Sequence, residues 1–81
     1  MPIILASQTT HLRPNITVET ITLTNPNQSP KTLYVYNYKG VHYRVFSTQK
    51  HLENFLQNIP APILADFTNE SALDSFLTKF K

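Results

Sequence analysis

The second half of the sequence contains one pattern twice, and the two copies begin 21 residues apart, at Phe46 and at Phe67. In each copy a phenylalanine ends an extended run, a hydroxyl residue follows, and apolar residues then recur at helical spacing. The copies read Phe46-Ser47 with Leu52-Glu53-Asn54-Phe55-Leu56 and Ile59, and Phe67-Thr68 with Leu73-Asp74-Ser75-Phe76-Leu77 and Phe80. Apolar residues at i, i+3, i+4 and i+7 share one side of a helix, so the pattern predicts a helix over about 48–58 and another from about Asn69 or Glu70 to Phe80.

The recurrence allows two interpretations. Many unrelated domains pack a helix after a strand in this way, with a phenylalanine at the end of the strand and a hydroxyl residue as the cap. We favour this explanation over an internal duplication. Two units are too few for a solenoid. Between the predicted helices, residues 63–67 form a short apolar run for which we predict a strand, and Pro60 and Pro62 end the first helix before it.

The first half of the sequence is typical of strands. Residues 16–24 are rich in β-branched side chains, which favour extended structure, whereas 25–30 holds two prolines and two asparagines, which favour a turn. Residues 3–6 are a short apolar run that indicates an edge or a buried strand. Residues 7–15 are mostly polar, and Arg13-Pro14-Asn15 marks a connection.

The clearest local prediction is a hairpin over residues 32–46. Asn37-Tyr38-Lys39-Gly40 has Asn first and the only glycine fourth, which favours a type I turn closed by a left-handed glycine. This turn would pair Tyr36 with His42 and Tyr34 with Arg44. Side chains alternate across a sheet, so the hairpin has two faces. The core face would carry Leu33, Val35, Val41, Tyr43 and Val45. The opposite face, here called the hairpin outer face, would carry Thr32, Tyr34, Tyr36, His42, Arg44 and Phe46.

Together these elements predict one α+β domain over residues 1–81. We expect an antiparallel β-meander of three or four strands, then a helix, a short strand and a second helix, with both helices packed on the core face of the hairpin. The connection through the first helix is long enough to place the last strand parallel to an earlier one. A domain this small is marginally stable without disulfides, so self-association would help it, and we keep a homo-oligomer as one expectation.

Composition argues against most catalytic chemistry. A single glycine excludes the glycine-rich loops that cradle phosphates, and the absence of cysteine removes thiolate nucleophiles and thiolate metal sites. The three histidines, His11, His42 and His51, show no i, i+4 pairing. We therefore expect a protein that is not an enzyme and that holds no metal or cofactor. The start of the chain lacks a basic leader and no apolar run reaches membrane-spanning length, so we expect a soluble, cytoplasmic protein without a membrane partner.

The hairpin outer face is the candidate binding site. Tyrosines alternate with cations there, a combination that protein interfaces favour and that can also stack nucleic-acid bases. The candidate residues are Lys31, Tyr34, Tyr36, Tyr38, Lys39, His42 and Arg44. The alternatives are a plain surface or a face covered by a helix. If the face binds, replacing Tyr36 and Arg44 by alanine should remove binding and leave the fold intact.

Charge distribution bears on which partner such a face would take. Residues 1–50 hold five cationic residues against one acid, a net charge of +4, and residues 51–81 hold a net charge of −2. The overall charge of +2 is low for a dedicated nucleic-acid binder. We therefore predict a small interaction or regulatory module for a protein partner, and keep weak binding of single-stranded nucleic acid as the alternative. No motif is specific enough to indicate a family.

Overall fold

A computed structural model describes residues 3–24 and 26–79 of the chain, and the side chains from residue 7 onwards. Its elements are β1 (Ile3–Arg13), β2 (Ile16–Thr24), β3 (Lys31–Tyr38), β4 (His42–Phe46), α1 (Gln49–Leu56), β5 (Ala65–Phe67) and α2 (Glu70–Lys79). The strands form one antiparallel sheet in the order β1-β2-β3-β4-β5. The predicted α+β fold is confirmed: a four-stranded meander, then a helix, a short strand and a helix. Asn25 of the predicted turn and Phe80 at the predicted end of α2 lie outside the described residues.

The strand β5 differs in direction from the prediction, because it runs antiparallel to β4. After α1, residues 57–64 bring the chain back to the carboxyl end of β4, where Ala65 pairs with Val45, so the pair needs no parallel crossover. The first strand is longer than the predicted run of residues 3–6, because the polar residues that follow continue it. The strand β1 extends to Arg13, and only Pro14 and Asn15 separate it from β2.

Local hydrogen bonds define both ends of α1. The hydroxyl of Thr48 accepts from the backbone N–H of His51 at 3.1 Å, so the cap lies one residue after the predicted hydroxyl of Ser47. At the other end Asn58 has a left-handed φ of 61°, and the N–H of Ile59 donates to the carbonyl of Asn54 at 2.8 Å. This is a Schellman ending with Asn in the position usually held by glycine. In α2 the cap is Asn69, whose Oδ1 accepts from the N–H of Ala72 at 2.8 Å, one residue after the predicted hydroxyl.

The two helices pack on opposite faces of the sheet, whereas the sequence predicted both on one face. The α2 side is a cluster of Ile21, Leu23, Leu33, Val35, Val45, Leu73 and Leu77, and the α1 side is a cluster of Val18, Tyr36, Phe46 and Leu52. Neighbours such as Val35 and Tyr36 belong to different clusters because alternate side chains point to opposite faces. The sheet is thus apolar on both sides, and a single covered face would leave Phe46 in water.

The hairpin keeps its predicted faces but not its predicted register. The observed ladder pairs Tyr36 with Arg44 and Tyr34 with Phe46, a shift of two residues. A shift of two preserves the alternation, so Leu33, Val35 and Val45 are buried as predicted, while Val41 is 60% exposed near the tip. The shift arises because the turn begins one residue later than predicted.

The turn itself is built from two left-handed residues. Lys39 and Gly40 have φ values of 58° and 73°, and the N–H of Val41 donates to the carbonyl of Tyr38 at 3.2 Å. Positive φ at both central positions is the mark of a type I′ turn, not of the predicted type I. Asn37 still contributes, because its Oδ1 accepts from the N–H of Gly40 at 3.1 Å.

Lys39 is the strained position of this turn, and Lys39→Asn is expected to raise the free energy of unfolding by about 0.5 kcal/mol. A left-handed residue with a Cβ costs roughly 1–2 kcal/mol, and Asn tolerates this region best. The gain is reduced by loss of the contact between Lys39 Nζ and the ring of Tyr38, 5.1 Å from its centroid. Urea unfolding of both proteins measures the difference. Lys39→Val is the matched control and should destabilise the protein, and equal stability for the two variants would contradict the proposed strain.

Candidate functional site

Helix α1 covers much of the hairpin outer face. The ring of Phe55 lies 5.0 Å from the ring of Tyr36, nearly perpendicular to it, and 5.3 Å from the ring of Phe46. The guanidinium carbon of Arg44 lies 5.0 Å from the centroid of Phe55. Tyr36 is only 8% exposed and Tyr34 is half-buried. The sequence predicted an open aromatic and cationic surface here, but at the centre of this surface the side chains contact α1 instead.

The remaining predicted site residues are not brought together at one surface. Tyr38 and Lys39 lie exposed at the hairpin tip. Lys31 is exposed at the start of β3 and is paired with Leu23, whose side chain belongs to the α2 cluster. By alternation Lys31 is therefore on the α2 face, whereas Tyr34 and Tyr36 are on the α1 face.

His42 and Arg44 are joined by an acid that the sequence analysis did not single out. Nε2 of His42 lies 2.6 Å from Oδ1 of Asp66, and Nε of Arg44 lies 3.8 Å from Oδ2 of the same carboxylate. Asp66 pairs with Arg44 across β4 and β5, which explains why the three side chains lie together. Only the position of β5 in the sheet could have revealed this cluster. The cluster ties the short last strand to β4, and Nε of Arg44 is buried without a hydrogen-bond partner among the described side chains.

On the other face of β4, Tyr43 links the hairpin to α2. Its hydroxyl donates to the carbonyl of Gly40 at 3.1 Å. Desolvation by partial burial raises the pKa of Tyr43, and the carboxylates of Glu70 and Asp74 raise it further. The phenol therefore stays neutral beside these two acids.

A groove with mixed apolar and polar walls runs along α1 over strands β1, β2 and β3; we call it the α1 groove. It consists of two hollows of about 350 Å³ each, which share Leu12 of β1 and Leu56 of α1 in their walls. Tyr34 lines one hollow and Tyr36 lines the other, so two predicted site residues do border a surface depression. Leu12 and Leu56 are 46% and 38% exposed, large values for leucine. The groove has α1 as one wall and no matching wall beyond β1 among the described residues.

Beside this groove lies the outer edge of β1, here called the β1 edge. The strand is 11 residues long and is the first in the sheet, so it pairs with β2 on one side only within the described chain. Every side chain described in it, from Ser7 to Arg13, is exposed. Its ladder with β2 is regular from Ala6 to His11, with irregularities at both ends of that segment. The backbone of a regular edge strand offers unused N–H and C=O groups to a further strand.

Among the described residues, no helix has the length and apolar character that crossing a bilayer requires. The same residues contain no cluster of three His, Cys, Asp or Glu side chains able to hold a metal ion. Comparison of the chain with protein-family models, curated proteins and solved structures finds no match.

Proposed function

We propose that this chain is a small, non-enzymatic protein–protein interaction module that binds an extended strand of its partner at the β1 edge. The carrying observation is an 11-residue edge strand with its described side chains exposed, next to a groove that the exposed side chains of Leu12 and Leu56 line. In strand addition, backbone hydrogen bonds supply affinity and depressions beside the strand supply specificity through alternate side chains. The α1 groove offers such depressions, with Leu12 at the centre. The predicted interaction function is kept, and its surface moves from the hairpin outer face to β1.

The composition of β1 supports this proposal. Between Ile3 and Arg13 the strand contains no proline, no lysine and no acid, the residues with which natural sheets protect their edges from pairing. Its two titratable side chains, His11 and Arg13, lie at one end. The remaining described side chains of the strand are neutral, so an added strand would meet little charge over most of its length.

Binding of single-stranded nucleic acid has less support. That function needs exposed rings alternating with cations, and Tyr36 lies under Phe55 while Arg44 faces the same ring. The cations still exposed around the tip and at Lys31 are on separate parts of the surface. Nucleic acid is therefore one outcome of the experiment below.

The test is affinity capture from a lysate of the organism that encodes the chain, with and without nuclease, followed by identification of captured proteins and reconstitution with the purified partner. The double variant Leu12→Glu/Leu56→Glu places two carboxylates in the α1 groove. The matched control Ile63→Glu/Leu64→Glu changes two apolar side chains of similar exposure, 42% and 46%, outside the groove. Circular dichroism and thermal melting establish that both variants are folded.

We expect the purified partner to lose at least tenfold in affinity for the groove variant and to keep its affinity for the control, with little response to salt. Equal binding of both variants would overturn the proposed surface. Loss of all captured material on nuclease treatment, together with a steep fall of affinity as salt rises, would replace the proposal by nucleic-acid binding.

A further inference from the structure

We infer that the strand added at the β1 edge belongs to a second copy of this chain, so that two copies share one continuous ten-stranded sheet about a twofold axis at the middle of β1. This inference rests on the proposed function and names its partner.

The middle of β1 is chemically self-complementary. Ser7, Gln8, Thr9 and Thr10 carry hydroxyl or amide groups, each of which both donates and accepts hydrogen bonds. In an antiparallel pairing with the twofold axis at Gln8 or at Thr9, three of these four residues face another of the same set, and the fourth faces Ala6 or His11. Thr–Thr and Thr–Ser pairs across neighbouring strands stabilise a sheet, and no like charges meet in this segment.

The charges of β1 determine the direction of the pairing. His11 and Arg13 are both near the carboxyl end of the strand. A parallel partner would place them beside their own copies. An antiparallel partner places the two Arg13 residues at opposite ends of the shared ladder, roughly 30 Å apart at about 3.4 Å per residue, well beyond the screening length in physiological salt.

The single chain exposes more surface than its size requires. Its accessible area is 5427 Å². A compact folded monomer of 9.3 kDa is expected to expose about 5,000 Å². The molecule is also elongated, with extents of 37, 25 and 19 Å. An exposed β1 contributes to this excess, and a domain of 81 residues without cysteine has few other means of gaining stability.

The pairing would also complete the α1 groove. A twofold axis perpendicular to the sheet keeps α1 of both copies on one face and α2 of both copies on the other. Helix α1 packs on β3 and β4, so strands β2 and β1 of each copy would form the floor between the two α1 helices. The second copy thereby supplies the far wall that the groove lacks in a single chain.

Single-cysteine variants test the axis directly, because the natural chain has no cysteine. Residues at the twofold axis face their own copies with Cα atoms about 4.5–5.5 Å apart, within the range of a disulfide. Under mild oxidation we expect Gln8→Cys or Thr9→Cys to form a covalent dimer in high yield at micromolar protein. The control Ser75→Cys, exposed on α2, should remain largely uncrosslinked.

A charge exchange tests the same surface without a disulfide. Light scattering after size exclusion is expected to give twice the 9.3 kDa of one chain for the natural protein. Gln8→Lys should weaken the dimer about tenfold or more at low salt. The introduced ammonium groups of the two copies lie directly opposite each other if the axis is at residue 8, and diagonally across the ladder if it is at residue 9. A mixture of Gln8→Lys with Gln8→Glu should restore it. Gln28→Lys, in the exposed turn before β3, is the matched control and should leave the dimer unchanged.

The outcomes separate this inference from the proposed function. A natural protein that stays monomeric at every concentration overturns the inference. A dimer that is indifferent to Gln8→Lys and yields no crosslink at residues 8 or 9 also overturns it, since another surface then mediates association. In either case the groove-dependent capture of a different protein would leave the proposed function standing.

Discussion

Phe46→Ala is expected to lower the free energy of unfolding by about 3–5 kcal/mol. Phe46 is fully buried, with 0% of its surface exposed, and is the largest of the fully buried side chains. Its ring joins the last residue of β4 to Phe55 of α1. Removing it leaves a cavity between sheet and helix in addition to the lost burial. Domains of about 80 residues have total stabilities of roughly 4–12 kcal/mol, so the variant should be close to unfolded.

Urea unfolding followed by circular dichroism measures this effect, and two further variants show its cause. Phe46→Leu fills most of the space and should cost only about 1–2 kcal/mol. Leu64→Ala removes an apolar side chain that is 46% exposed and should change stability by less than about 0.5 kcal/mol. If Phe46→Ala were as stable as Leu64→Ala, α1 would not pack on this face of the sheet.

The order of elements could be predicted because each depends on neighbouring residues. The apolar spacing around Leu52 and Leu73 predicts the two helices, and a hydroxyl, that of Thr48, caps the first one residue after the predicted Ser47. Alternation through Leu33 and Val35 identifies the face that α2 covers. These signals act over a few residues along the chain, and the structure confirms them.

The position of α1 depends on more distant contacts and was predicted wrongly. From the sequence, both helices were placed on the aliphatic face around Val35, although the alternation of side chains had already placed Phe46 on the opposite face of the sheet. A buried phenylalanine on the second face requires a cover, and α1 begins only three residues after Phe46. The aromatic side chains of the hairpin outer face are therefore mainly core residues facing α1.

The candidate surface was missed because β1 has no apolar alternation in its second half. Ser7 to Thr10 are polar on both sides of the strand, since neither face of β1 is buried in these residues. A polar segment of this kind resembles a connection in sequence. It becomes a strand only through its ladder with β2. The polar side chains that made β1 hard to predict as a strand also leave its edge exposed to a partner.

Tyr36→Ala provides the second large test, because the sequence and the structure predict opposite results. An outer-face tyrosine could be removed without harm to the fold, whereas Tyr36 in the structure is 8% exposed and packs edge-on against Phe55. We expect Tyr36→Ala to cost about 3–5 kcal/mol. Tyr36→Phe, which keeps the ring, should cost far less. Equal costs for these two variants would contradict the packing of the ring against α1.

A double-mutant cycle assigns part of this cost to the contact itself. Leucine replaces Tyr36 and Phe55, singly and together, so that all four proteins stay folded. Aromatic pairs in this geometry contribute about 0.5–1.5 kcal/mol beyond their buried area, and the cycle should return a coupling of that size. The matched cycle pairs Tyr36→Leu with Leu73→Val on α2. Because these side chains lie on opposite faces of the sheet, their effects should add within about 0.5 kcal/mol. A strong coupling to Leu73 with none to Phe55 would mean that Tyr36 faces α2, and the α1 groove would then lose the wall that this ring supplies.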